Sequence, residues 1–444
     1  MDPADVREVL GNSILVDGYD FVLDLEKSSG SYLVDARTGL RYLDLFSFFS
    51  SLPLGMNPPD LLDDAEFTAR LARAALHKVS NPDIYTEEYA QFVETFVRVL
   101  GDPALPKLFF IDGGALAVEN ALKVAFDWKS RRSGTAESVN LKAMHLTSAF
   151  HGRSGYTMSM TNTDPEKTRF FPTWDWPRLP TPALRFPLHE YASDNRSAED
   201  TALHLARRAF EESAGEIACF VAEPILGEGG DMHLSARFLL GMQELCHEFD
   251  ALFVLDEVQT GCGSTGTAWA YQQLGLSPDV VAFGKKTQVC GVMAGRRVDL
   301  VDDNVFRTSS RISSTWGGNL ADMVRATRIL DIVERDGLFR QVADKGDSFL
   351  GLLGGLGRRY PNLVSNVRGR GLMAAFDLPD ALVRDLLIKR LFTNERVIIL
   401  PSGERSIRFR PSLTVTTDEL GSAVKSIDQV MNTVTRNLET GGIK

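Results

Sequence analysis

The sequence predicts an α/β fold, with a large, mostly parallel sheet at its centre and a smaller α/β lobe built from both ends of the chain. Three observations predict it. At 444 residues the chain is too long for one simple core and suits two or three lobes. From about residue 107 to 297, short apolar runs alternate with segments of helical period, the pattern of parallel strands covered by helices on both faces. After Trp316 the alternation gives way to long helices, then RGRGLMAAFDL and a helix-rich tail.

In chain order, the first sixty or so residues hold YLVDARTGLRYLDLF (32–46), expected to form a small antiparallel element with an extended arm. The runs KLFFI (107–111), AMHLTSAF (143–150), IACFVAEP (217–224), ALFVLDEV (251–258), VVAFG (280–284) and VMAG (292–295) read as buried strands. ARFLLGMQELCHEFD (236–250) keeps a helical period between two of them. These shifts divide the chain into an N-terminal arm and small-domain segment (1–62), a large domain (63–320) and a C-terminal small domain (321–444).

Composition narrows the function. The 48 basic and 59 acidic residues leave a net charge of −11, which argues against a nucleic-acid partner. No secretory signal opens the chain, and no run approaches the ~18 apolar residues of a membrane helix. Cys219, Cys246, Cys262 and Cys290 are widely spaced with no CxxC pair, so neither a metal site nor a disulfide framework is expected, and a cytoplasmic location is.

Ligands of open α/β sheets bind beyond the carboxyl ends of the strands. Phe150-His151-Gly152-Arg153 follow the second run, Glu223 and Glu228 the third, Asp256 and Gln259 the fourth, and Lys285 the fifth. Two lysines closing VVAFGKK raise a question, because lysine at a buried strand end is costly unless it snorkels or bonds. Either both reach solvent, or one is a covalent catalyst. Asp256 and Lys285 lie about one strand-helix-strand unit apart, so they can occupy neighbouring strands. An acid for a pyridinium nitrogen and an imine-forming lysine are what a protein contributes to pyridoxal-phosphate chemistry. FFIDGGALAVENALK (109–123) adds a strand, small residues and a helix start, which suits a phosphate or is simply a tight turn.

The ordered set DEVQTG (256–261), PDVVAFGKK (278–286), STWGGN (314–319), RGRGLM (368–373) and IRFRPSLTV (407–415) resembles the class III, fold-type-I pyridoxal-phosphate aminotransferases over nearly the whole chain. GGALAVENALKVAFDWKSR, AFHGRSGYTMSMTNT and FGKKTQVCGVMAGRRVD are similar to bacterial lysine ε-aminotransferases, which pass lysine's side-chain amine to 2-oxoglutarate and yield L-glutamate. The resemblance implies Lys285 as the cofactor-linked lysine and Asp256 beneath the ring nitrogen. It further implies Phe150 and Val258 on the two ring faces, Gln259 near the ring hydroxyl, and Gly114 and Ala115 at the phosphate. Thr315 would reach the phosphate of the other subunit, in an obligate homodimer. Lys286 stands where the family usually has a small residue, and alternation along a strand allows only one of the pair to face the ring.

Substrate recognition is then a charge problem. Glutamate brings an α-carboxylate to the reacting carbon and lysine's ε-amine does not, so a fixed arginine would be stranded with one of them. The resemblance implies that Arg408 pairs with Glu228 when no carboxylate is present, that Arg153 holds the far carboxylate, and that Phe49 lines the methylene chain. Leu226, Ser313 and Ser412 depart from the family pattern and bear on substrate fit. Ornithine δ- and 4-aminobutyrate aminotransferases share nearly all these residues, since one methylene is worth only about 0.8 kcal/mol. An aminomutase on the same scaffold and a cofactor-free binding protein are the other readings.

Overall fold

The structure is a computed structural model that describes residues 1–132, 140–213 and 215–439. Seven strands form the central sheet, in the order Lys107–Ile111, Cys290–Ala294, Val280–Phe283, Leu252–Asp256, Ile217–Ala222, Lys142–Leu146 and Arg178–Leu179. Only Cys290–Ala294 runs antiparallel to its neighbours. The five strands from Val280–Phe283 to Arg178–Leu179 pair with one another in parallel.

The apolar runs are continuous because both faces of the sheet are covered. Phe220, Ala222, Phe253, Leu255, Val281 and Phe283 enter one core, with Phe238 and Met242 of the helix Ala236–Glu248. The alternate residues Cys219, Val221, Leu252, Val254, Val280 and Ala282 enter another, with Leu122 and Trp128 of the helix Gly114–Arg132. Period-two side chains with two apolar sets are what a doubly covered sheet requires.

Three strands end earlier than the apolar runs suggest. The runs beginning at 143, 217 and 251 leave the sheet after Leu146, Ala222 and Asp256. Hydrophobicity continues past the last ladder bond because those residues still pack at the sheet edge. Arg178–Leu179 is a strand that no apolar run announced; two residues are too few for a period.

The two chain ends meet in a second lobe. Tyr32–Val34 and Arg41–Asp44 form the expected antiparallel pair, and Val397–Ile398 adds in parallel to the latter. Ser365–Arg370, Met373–Asp377, Ser406–Phe409 and Leu400–Ser402 make an antiparallel sheet beneath the helix Leu338–Arg359, against which the helix Thr417–Glu439 packs in turn. The helix Leu320–Arg335 links both cores: Met323 and Ala326 pack in the large one, Ile329 and Val333 in the small. Among the described residues no helix is long and apolar enough to cross a membrane.

Candidate active site

Parallel pairing of Ala282 with Asp256 brings the carboxyl ends of two central strands to one edge. Asp256 is buried there, and its Oδ1 accepts from the Val258 N–H at 3.0 Å, a local turn that ends the strand. Its Oδ2 lies 2.8 Å from His151 Nδ1. Burial disfavours a charged His151, but the bond to Asp256 and the nearness of Glu223 outweigh it, so its pKa is raised. Glu223 accepts from the backbone N–H groups of Phe150 (3.0 Å) and Gly227 (3.2 Å), and burial pushes its carboxyl well up. His151 therefore holds Asp256 through Oδ2, while Glu223 ties down the backbone of Phe150 and Gly227 beside it.

The lysine pair is resolved by a kink. The strand stops at Phe283, Gly284 is extended, and Lys285 takes a left-handed φ of 54° at the start of the turn Lys285–Thr287. A Cβ on Gly284 would lie 2.9 Å from Cys290 Sγ and 3.3 Å from Val258, so the close approach needs glycine. Strand alternation is thus not what separates the two side chains, because neither lysine is in the strand; the left-handed residue does it. Burial lowers the Lys285 pKa first, Arg408 and Arg410 add to the effect, and Asp256 opposes it.

Lys286 turns the other way and is only 3% exposed. Its Nζ donates to Ser50 Oγ at 2.5 Å and to Ser50 O at 3.2 Å. Ser50 closes an unusual turn in which Ser47, Phe48, Phe49 and Ser50 all have positive φ, a conformation costing non-glycine residues about 1 kcal/mol or more each. Asp44 accepts from the Phe46 and Ser47 N–H groups at 2.8 Å, Ser47 Oγ donates to the Arg410 carbonyl, and Gln288 Nε2 donates to the Ser51 carbonyl. The strained turn sets the Phe49 ring centroid 5.9 Å from Lys285 Nζ. Burial brings the Lys286 pKa down to about 7. The unfolded chain therefore binds more protons than the folded one between about pH 7 and the ordinary lysine range near 10.5, and this group's contribution to stability rises with pH across that window. Thermal melts of wild type and Lys286→Met from pH 6 to 9 should show the wild type gaining on the variant above pH 7; a constant gap would refute it.

Arg408 and Arg410 are two residues apart, and both point back across the sheet edge. Arg408 Nη2 meets Glu228 Oε2 at 2.8 Å, and its Nη1 donates to the Gly227 carbonyl at 2.7 Å. Glu228 Oε1 also accepts from Lys167 at 2.8 Å. Arg410 is fully buried, forks onto Asp231 at 2.8 and 2.5 Å, and donates through Nε to Gln259 Oε1 at 2.9 Å. That last bond orients the Gln259 amide. Any Cβ on Gly227 would strike the amide at 2.3 Å.

Gly114 opens the 19-residue helix Gly114–Arg132, whose first N–H groups have no helical partner. A Cβ on Gly114 would come within 2.9 Å of Val258, and one on Gly152 within 2.5 Å of Ala115. The helix start is thus packed against the segments carrying Asp256 and His151. Phe150 is half-buried at the same edge, with Lys167 Nζ 5.2 Å from its ring centroid. Arg153 and Thr315 are exposed; the Thr315 loop is held by Asn81, which donates to the Trp316 and Gly318 carbonyls.

A buried acid, an amine of lowered pKa, and an anion-binding helix start at one edge fit pyridoxal 5′-phosphate. They match its ring nitrogen, aldehyde and phosphate in turn. The residue patterns had placed His151 and Glu223 at this edge without a role. Asp231, Arg410, Lys167 and Lys286 had none assigned; only the Arg-x-Arg spacing of IRFRP signalled that Arg410 shares a face with Arg408.

A family model described as aminotransferase class III matches residues 15–431. An L-lysine-epsilon aminotransferase of Amycolatopsis lactamdurans is 61% identical over 428 residues, covering 96% of this chain and 95% of its own. One from Streptomyces clavuligerus is 59% identical over 436 residues, covering 98% and 95%. The solved structure of lysine aminotransferase from M. tuberculosis in the internal aldimine form superposes with a TM-score of 0.95, at 57% identity, over 98% of this chain and all of that one. With a family model spanning most of its length and relatives 61% and 59% identical across nearly all of it, this chain belongs to the class III aminotransferase family.

Proposed function

We propose that this protein transfers the ε-amino group of L-lysine to 2-oxoglutarate, giving L-glutamate and 2-aminoadipate 6-semialdehyde, which cyclises to piperideine-6-carboxylate. The observation that carries the reading is the Arg408–Glu228 pair at 2.8 Å, beside an amine of depressed pKa. Paired, Arg408 tolerates the methylenes next to lysine's reacting carbon without leaving a bare buried cation. Released from Glu228, it can accept the α-carboxylate of 2-oxoglutarate in a bidentate contact. The high identity to two lysine ε-aminotransferases supports lysine over ornithine or 4-aminobutyrate as donor.

When bound, pyridoxal 5′-phosphate supplies the reactive aldehyde and an electron sink. Lys285 Nζ would be the covalent anchor and the base that moves the proton at the substrate carbon; a lowered pKa keeps that amine available near neutral pH. Asp256, held by His151, would keep the ring nitrogen protonated. Gln259, steered by Arg410, would face the ring hydroxyl, and Phe150 and Val258 would bound the ring. Gly114 and Ala115 would bind the phosphate through backbone N–H groups. Arg153 would take the far carboxylate, and Phe49 would contact the methylenes. Thr315 would act on the partner subunit's phosphate, a role supported by its exposure, so a cytoplasmic homodimer belongs to this reading.

A donor screen of lysine, ornithine and 4-aminobutyrate with 2-oxoglutarate, scored by the aldehyde formed, tests the proposal. Lysine should give the highest kcat/KM; preference for another amine, or turnover without a keto acid, would reject it. Arg408→Ala should raise KM for 2-oxoglutarate about 10²-fold, the scale of losing a buried hydrogen-bonded charge partner. The same variant should change the lysine half-reaction little. Equal losses in single-turnover measurements of the two halves would reject the switch.

A further inference from the structure

Lys167 ends the short turn Pro165–Lys167, whose start Asp164 caps by accepting from the Glu166 N–H. Its Nζ lies 2.8 Å from Glu228 Oε1 and 3.2 Å from Thr163 Oγ1. Glu228 therefore gives one oxygen to each of two cations, Oε1 to Lys167 and Oε2 to Arg408. The row Lys167–Glu228–Arg408 holds two positive groups around one negative, a positive charge in excess. Burial works against an ionised Glu228, yet Arg408 and Lys167 together hold its pKa below the usual carboxylate range.

When a substrate carboxylate takes Arg408, Glu228 must give up that partner. A carboxylate partly withdrawn from water and stripped of its cation is costly. With Lys167 already bonded to the other oxygen, the row instead resolves into two neutral pairs, Lys167 with Glu228 and Arg408 with substrate. With a donor that brings no carboxylate, nothing has to move. We infer that Lys167 is a positioning residue that keeps Glu228 paired while Arg408 binds the α-carboxylate, and so tunes affinity for the acceptor selectively. The inference rests on the proposed Arg408–Glu228 switch.

The test compares wild type, Lys167→Met and Lys167→Arg holoenzyme, loaded with amine, against two acceptors. One is 2-oxoglutarate. The other is succinic semialdehyde, which has the same chain and far carboxylate but a hydrogen in place of the α-carboxylate. Lys167→Met should raise KM for 2-oxoglutarate about tenfold, between the effects typical of exposed and buried charge pairs. It should leave KM for succinic semialdehyde within about twofold, and Lys167→Arg should restore most of the loss. If Lys167 served only to pack on Phe150 or brace its loop, both acceptors would suffer alike; that result, or an unchanged KM for 2-oxoglutarate, overturns the inference. Because the readout is on the acceptor side, a donor screen that rejected lysine would leave this test standing. Failure of the switch itself would show separately, as Arg408→Ala leaving KM for 2-oxoglutarate unaltered.

Discussion

Lys285→Ala should abolish turnover, by about 10⁵-fold or more, the scale seen when a covalent nucleophile is removed from an enzyme. Two roles are lost together, the covalent anchor and the base at the substrate carbon. The neighbour cannot substitute. Lys286 Nζ is bonded to Ser50 and points away from the edge where Asp256 stands, and it could reach that edge only by undoing the left-handed turn that carries Phe49. Borohydride reduction of the wild-type holoprotein, followed by peptide mass mapping, should place the cofactor mass on Lys285. The variant should retain its melting profile and carry no such adduct. An adduct on Lys286, or residual activity within tenfold of wild type, would refute the assignment.

Asp256→Asn should lower kcat about 10³-fold, some 4 kcal/mol of barrier, with little change in KM for either substrate. Asparagine keeps the size of the side chain and can still accept from the Val258 N–H, so the turn survives. What it removes is the negative charge in a buried site, where electrostatic interactions are strong. His151 then loses the partner that raises its pKa, and burial would drive it neutral. The absorbance of the bound cofactor against pH would report this, since the ring nitrogen should lose its proton at lower pH in the variant. An unchanged profile together with normal kcat would show that Asp256 is structural.

The sheet edge was legible because apolar runs and their polar ends repeat with strand and helix periods. The positions of Asp256 and Lys285 follow from two neighbouring strands of known length, and parallel pairing of Ala282 with Asp256 bears that spacing out. The strand ends were less legible: Phe150 and Val258 belong to apolar runs yet lie beyond the last ladder bond. The second lobe could be anticipated only as a change of rhythm after Trp316. That Val397–Ile398 pairs with Arg41–Asp44 joins segments some 350 residues apart, a contact no local pattern encodes.

By itself the sequence determined the fold class and the family, and it singled out Asp256 and Lys285 as the proposed chemical pair, because these depend on periodicity and on short ordered motifs. Tertiary structure alone decided what turns Lys286 away from Lys285, that Lys167 joins Arg408 on Glu228, and what holds Asp256 and Gln259 in place. Those choices rest on side chains drawn from Ser50, His151, Lys167 and Arg410, brought together by burial and charge pairing across the whole chain. A left-handed residue at 285 and a carboxylate shared between two cations are set by distances of a few ångströms, and a linear order of residues carries no such distances.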